Sequence, residues 1–171
     1  IAARLVAIAN SVAYTRFGGH ASNVRTAVSL LGFKPLRSLV AVIVVRQLAS
    51  EIADAKLRHK AELLWQHCAS VAALAKVLAR EFTGADPETA LFAGVVHEID
   101  GFYLLSRAAE FPALLEEGSG IAGQEARTVL SGCMFKALKI PAPVAAAIAS
   151  LYSDVSIKPP VTVGDVLVLA N

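Results

Sequence analysis

Apolar residues recur at helical spacing along most of the chain, and glycines and prolines separate the apolar stretches. No alternation of strand-like and helix-like segments is visible, and there is no internal repeat. The pattern therefore predicts an all-α fold. The longest helical pattern runs from about Arg58 to Phe82, with Leu64, Cys68, Val71, Leu74, Ala75 and Leu78 on one face.

Local signals predict where several helices begin and end. The hydroxyl of Ser22 can cap a helix that Gly32 terminates. Pro35 suits the first turn of the next helix, which runs to about Ala53. The run Leu39–Val45 within it is rich enough in β-branched residues for a strand, but the proline start and the length of the pattern favour a helix.

The segment Asp86-Pro87-Glu88 predicts another helix start, because it combines a capping carboxylate, a first-turn proline and an acidic residue at the positive end of the helix dipole. This helix leads into His97-Glu98-Ile99-Asp100-Gly101. Further predicted helices are Ile1 to about Ala13, Phe102–Glu110, Pro112–Glu116, Gly123–Leu138, Pro141–Tyr152 and Val161–Asn171.

Length and composition fit a single domain. The chain has 171 residues, of which 56% are hydrophobic, and a mean hydropathy of +0.58. This indicates tightly packed helices, with some apolar surface covered by a partner. Cys68 and Cys133 form no CxxC pair, so we expect reduced thiols and a cytoplasmic protein. Because Ile1 already lies in a helical pattern, we expect the domain to be incomplete at its N-terminus.

Charge and hydropathy argue against two classes of partner. A net charge of +2 spread along the chain gives no electrostatic footprint for nucleic acid, and the basic cluster around His59 is typical of a solvated helix end. No apolar run approaches the ~20 residues that a transmembrane helix needs, and there is no signal peptide. We therefore expect neither nucleic-acid nor membrane binding.

One group of residues suggests chemistry. His97 and Glu98 are adjacent at a helix end, and His67 lies on the preceding long helix. If the two helices pack side by side, two imidazoles and a carboxylate converge, which divalent metals accept as ligands. A metal there would activate water for attack on a phosphoester, with Asp100 orienting an imidazole. Residue types alone favour structural hydrogen bonding over metal binding.

Motifs in the same order along nearly the whole chain resemble those of HDOD domains, which belong to the HD superfamily. The resemblance rests on Ala7-Ile8-Ala9-Asn10-Ser11 ("LANSA"), Thr26 to Gly32 ("AI..LG"), Trp65-Gln66-His67-Cys68 ("W.HS"), Ala93 to Ile99 ("AGLLHDIG"), Gly132 to Pro141 with Ala147-Ile148, and Val166 to Asn171. It implies a compact multi-helix fold, here over residues 1–171, in a bacterial signalling protein. Catalytic HD relatives are metal-dependent phosphohydrolases that use several His and Asp ligands.

The chain departs from that ligand set at several positions. The resemblance assigns His67 and His97 to two of its histidines, but Glu98 replaces the Asp of the HD doublet. The glycine after "HDI" becomes Asp100. Asn171 replaces a terminal Asp. Thr128 stands where many relatives have a third His, and Leu151 and Tyr152 replace a later His pair.

These departures predict a degenerate HD site and no catalytic residues. We expect a non-catalytic signal-transduction or protein-interaction module with a protein partner, as a monomer or a homo-oligomer. We expect no cofactor; His67, His97 and Glu98 could hold a divalent metal only loosely. The alternatives are a divergent metal-dependent phosphohydrolase acting on a nucleotide or cyclic dinucleotide, and a nucleotide-binding regulator.

Overall fold

The computed structural model describes residues 7, 10, 21–111, 121–152 and 160–171, with the backbone alone for 121–125. All regular structure in these ranges is helical, which confirms the all-α prediction. The α-helices are α1 (Val24–Leu31), α2 (Phe33–Ser50), α3 (Ala55–Phe82), α4 (Pro87–Val96), α5 (Ile99–Arg107), α6 (Ile121–Ala137), α7 (Ala142–Ala149) and α8 (Val163–Ala170), and a 3₁₀ turn, Ser150–Tyr152, follows α7.

The chain divides into two compact units, Ile1–Val44 and Val45–Asn171. The expectation of one domain over residues 1–171 stays a prediction. In the first unit, the side-chain amide of Asn10 bonds both backbone groups of Ala21: it donates to the carbonyl at 2.8 Å and accepts from the N–H at 2.7 Å. One described core cluster of this unit contains Ala21, Ala27 and Leu31, with Leu30 and Leu39 beside them.

The boundaries of α1 and α2 follow from local chemistry. Asn23, and not the predicted Ser22, caps α1, because its side-chain oxygen accepts the N–H of Thr26. Gly32 ends α1 as predicted, at a φ of 78° that favours glycine. Pro35 lies in the first turn of α2, so the helix prediction is confirmed over the strand alternative, although α2 ends three residues before Ala53.

Helix α3 is the centre of the second unit and packs against α4, α5 and α8. Its N-cap is Asp54, whose carboxylate accepts two backbone N–H groups of the first turn. The predicted apolar face is correct except at Leu74, which is exposed. The main core of this unit joins α3 to α5 and the end of α2 through Val45, Ile52, Ala61, Cys68, Ile99, Phe102 and Leu105.

Helix α4 ends and α5 begins at the predicted HD-like segment around His97 and Glu98. Asp86 caps α4 and Pro87 is its first residue, as predicted. The next helix already begins at Ile99, three residues before the predicted start at Phe102. The predicted helix at Pro112–Glu116 lies outside the described residues, as does almost all of the one before Ala13.

The sequence predicts no helix that is long and apolar enough to cross a membrane. Within the described ranges, no single helix is long and apolar enough to cross a membrane. Helices α1 and α2, bent by 117° at their junction, meet the length and composition test only as a pair.

At Gly94, α4 lies very close to the backbone of α3. A Cβ atom there would lie 2.5 Å from the Cα and 2.8 Å from the backbone nitrogen of Ala72. Backbone atoms cannot move aside as a flexible side chain can, so the two helices pack at this distance only with glycine. Gly132 in α6 is different, because a Cβ atom there would meet nothing within 4 Å.

We expect Gly94→Ala to destabilise the protein by about 3 kcal/mol, since α4 must move away from α3. Gly132→Ala is the matched control and should stabilise by about 0.5 kcal/mol, because alanine has the higher helix propensity. Urea denaturation followed by circular dichroism measures both free energies of unfolding. Equal stability of the two variants would contradict the close packing of α3 and α4.

Candidate functional site

Two histidines meet where the C-terminal end of α4 crosses the middle of α3. The Nε2 atoms of His67 and His97 are 3.2 Å apart, and the two rings make an edge contact at 61° with centroids 5.2 Å apart. The end of α8 completes the group, because Oδ1 of Asn171 lies 3.1 Å from Nε2 of His67. The structure therefore brings together three of the five site residues predicted from the sequence.

Hydrogen bonding assigns the protons in this group. His97 Nδ1 lies 2.9 Å from the carbonyl oxygen of Gly94, an acceptor only, so Nδ1 carries the proton and donates. Nε2 of neutral His97 is then an acceptor, and the Nε2 proton belongs to His67. That proton is shared between His97 Nε2 and Asn171 Oδ1. Both imidazoles are thus held in fixed orientations without a metal ion.

The imidazole of His97 is kept neutral by its surroundings. Its side chain is buried, and burial lowers the pKa of His97 because the charged form loses its hydration. The bond to Gly94 and the charge of Glu98 oppose this effect, and the neighbouring His67 adds to it. The net shift is downward.

The two carboxylates of the segment bind an arginine instead of a histidine. Arg127 of α6 donates from Nε to Asp100 Oδ2 at 3.0 Å and from a terminal nitrogen to Glu98 Oε2 at 2.9 Å. The side chain of Asp100 is only 1% exposed, whereas that of Arg127 is 44% exposed. A single guanidinium therefore bridges the residue before α5 to a residue in its first turn.

Arg127 carries a permanent positive charge beside Glu98 and Asp100. Burial alone would lower its pKa, but the bond to Asp100 and the charges of Asp100 and Glu98 outweigh burial and raise it. Gly101 leaves room for the arrangement, because a Cβ atom there would lie 3.2 Å from Glu98 Oε2 and 3.0 Å from Leu64.

The same carboxylates influence two further side chains. Burial, together with the charges of Glu98 and Asp100, raises the pKa of the Cys68 thiol to about 12. Burial followed by the same two charges also raises the pKa of Tyr152, against the opposing effect of Arg127. The negative field of the two carboxylates thus reaches from α3 to the end of α7, and Arg127 balances only part of it.

The structure corrects one predicted role and adds one residue. Asp100 was expected to orient an imidazole, but it binds Arg127, because the carbonyl of Gly94 already holds His97. Arg127 itself was missed. The available signal was its position beside Thr128, where many relatives carry a histidine, in a helix with few other charges.

The donor set does not fit a divalent metal. Among the residues that the structure describes, no three His, Cys, Asp or Glu side chains converge closely enough to hold one ion. Beside the two histidines lies the amide oxygen of Asn171 but no carboxylate, and His67 Nε2 bears a proton. Asp100 Oδ1 is buried without a hydrogen-bond partner in the described chain, but it is a single donor. The two carboxylates, which a hard cation would prefer as ligands, are both bound by Arg127.

Comparison with known proteins decides the family. The family model of the HDOD domain matches residues 1–135, about four fifths of the chain. The chain belongs to the HDOD domain family. The resemblance found in the sequence is therefore confirmed.

One solved structure extends the comparison over the whole HDOD chain. It is the crystal structure named "Putative metal-dependent phosphohydrolase from Shewanella amazonensis SB2B", at 21% sequence identity and a TM-score of 0.65. The match covers 99% of this chain and 62% of that one, so the chain spans under two thirds of its neighbour's length. This similarity shows the fold. No curated protein matches the chain.

Acid should weaken the HDOD domain partly through His97. Because its folded pKa is lowered, the unfolded chain takes up this proton more readily than the folded one. The contribution of neutral His97 to stability is therefore complete above a pH of about 6.5 and is lost as the pH falls.

We expect His97→Gln to show a smaller loss of stability between pH 7 and pH 5 than the wild type. Exposed His59 provides the control: His59→Gln should keep the wild-type slope, and parallel slopes for all three proteins would disprove the role of His97.

Cysteine labelling should separate the two thiols. At pH 8 in the folded protein, we expect Cys68 to react with a thiol reagent at least about a hundred times more slowly than exposed Cys133, because its high pKa leaves almost no thiolate. Cys133→Ser should thus abolish fast labelling, and full reactivity should return in denaturant. Fast labelling of folded Cys133→Ser would contradict the buried, negatively charged surroundings of Cys68.

Proposed function

We propose that this HDOD domain is a non-catalytic signal-transduction and protein-interaction module of a cytoplasmic bacterial protein. The observation that carries the proposal is the binding of Glu98 and Asp100 by Arg127. In a hydrolase of this superfamily, carboxylates would hold a metal that activates water. Here the chain's own cation uses them, and the geometry favours a structural role.

The histidines support the same proposal. His67, His97 and Asn171 bind one another and the backbone, as in a network that positions helices. His97 is almost completely buried, so its ring has little access to a substrate. Their bonds connect the middle of α3, which carries His67, to the C-terminal ends of α4 and α8, where His97 and Asn171 lie.

Exposed apolar side chains in the second unit agree with a protein partner. Phe82, Val129, Val161 and Leu169 are each more than half exposed. Scattered apolar residues are common on protein surfaces, so they support an interaction without locating it.

A metal-dependent phosphohydrolase is the second candidate, and one distance favours it. The two Nε2 atoms, 3.2 Å apart, are about as close as two nitrogens that share one metal ion. After loss of the His67 Nε2 proton, the pair would supply two ligands. The solved neighbour named for this activity belongs to the same fold.

Metal analysis and hydrolysis assays distinguish the two functions. We expect protein purified without chelator, then incubated with Mn²⁺, Fe²⁺ or Zn²⁺ and desalted, to contain far less than one metal per chain. Hydrolysis of bis(p-nitrophenyl) phosphate and of a cyclic dinucleotide should not exceed that of His97→Ala. Stoichiometric metal together with turnover that His97→Ala abolishes would establish the phosphohydrolase instead. Thermal stabilisation by a nucleotide without turnover would indicate a nucleotide-binding regulator.

A further inference from the structure

Helix α6 is held less firmly by apolar packing than the other long helices of its unit. None of its side chains from residue 126 to 137 is buried. Met134 and Phe135 are partly buried against the core around α5, which is the principal helix that α6 contacts. On the outer side, Val129 is exposed. Helix α3, by comparison, buries six residues along its length.

Helix α6 is also attached to α5 through Arg127, which lies near its N-terminal end. Arg127 reaches across to the start of α5 and donates to both Glu98 and Asp100. The two acceptors differ in burial, since Glu98 is partly exposed and Asp100 is almost completely buried. A buried carboxylate requires a nearby cation, and its loss is costly because the charge stays without compensation.

We infer that Arg127 is a clamp that fastens α6 to the start of α5, supplying from the chain itself the positive charge that Glu98 and Asp100 need. With the clamp closed, α6 lies against α5. With the clamp open, Met134 and Phe135 provide the remaining contact, and α6 separates locally while α3, α4 and α8 stay packed. The docking of α6 thus depends strongly on the Arg127 guanidinium, which makes α6 an element suited to a conformational signal.

The Arg127 side chain is partly exposed to solvent, which favours release of the clamp. The Arg127 side chain is 44% exposed, so water and salt screen its charge more than they would in a closed core. The clamp is thus stronger than a surface ion pair because Asp100 is buried, and weaker than a fully buried one.

Hydrogen exchange measured by mass spectrometry on the full chain tests the clamp. We expect Arg127→Ala to accelerate amide exchange in peptides covering Ile121–Ala137 by about tenfold or more, with exchange in α3 unchanged. The midpoint of thermal unfolding should fall by on the order of 10 °C. Arg107→Ala is the matched control: it breaks an exposed arginine pair with Glu110 and should change neither measurement.

Two further variants keep the test decisive if Arg127→Ala does not fold. Glu98→Gln removes the charge of the more exposed partner and leaves Asp100 paired, so it should accelerate exchange in α6 to a smaller extent. Arg127→Lys keeps the charge but lacks the fork that binds two carboxylates, and its exchange should lie between wild type and Arg127→Ala. Unchanged exchange in α6 for all the variants that fold would overturn the inference.

Added Mn²⁺ provides an independent measurement. In wild type it should leave exchange in α6 unchanged, because Arg127 already binds both carboxylates. Slower exchange of α6 in the presence of Mn²⁺ would show that a metal takes the place of the guanidinium, and the inference would fail. The clamp and the proposed function are tested separately. Hydrolysis by the wild type would refute the non-catalytic function, whereas the rate of amide exchange in α6 tests the clamp.

Discussion

The charge of Asp100 governs the arrangement of the site. This side chain is almost completely buried, and an unpaired charge there would cost several kcal/mol. Arg127 makes the burial tolerable by placing its guanidinium 3.0 Å from the acid. Because Asp100 lies on α5 and Arg127 on α6, satisfying one charge also fixes the relative position of two helices. Burial is the main cause of the raised pKa values of Cys68 and Tyr152, and the charges of Glu98 and Asp100 add to it.

The histidine pair is held together by hydrogen bonds between neutral groups, not by ionic charge. Two buried or half-buried imidazoles can share a proton only if one is a donor and the other an acceptor, and the carbonyl of Gly94 determines which is which. The close approach of α4 to α3 at Gly94 brings the rings to that distance. Packing and hydrogen bonding therefore depend on the same glycine, so the backbone carbonyl orients His97 with no need for a metal or a second carboxylate.

Helices were predictable from the sequence where one residue type determines the local backbone. Asp86 and Pro87 specify a helix start, and Gly32 specifies a stop, because capping bonds and backbone angles act over three or four residues. Asn23 was confused with Ser22, since both can cap a helix and only the chain path selects between them. The break before Ile99 has no proline or glycine to announce it, so it depends on tertiary packing. The pairing of His67 with His97 was expected from helix packing, whereas the partner of Asp100 lies 27 residues further along the chain.

Asp100 and Arg127 are best understood together, because each is the partner of the other's charge. Asp100 stands where the HDOD motif carries a glycine, and alone it would place an uncompensated charge in the core. Arg127 alone would bring a partly buried cation to Glu98 and leave much of its fork unused. Together each satisfies the other, and Glu98, longer by one methylene than the aspartate of the HD doublet, is within reach of the same guanidinium. A site that coordinates a metal needs its carboxylate oxygens free to bind the ion. In this chain Arg127 binds both carboxylates, and the same interaction joins the start of α5 to α6.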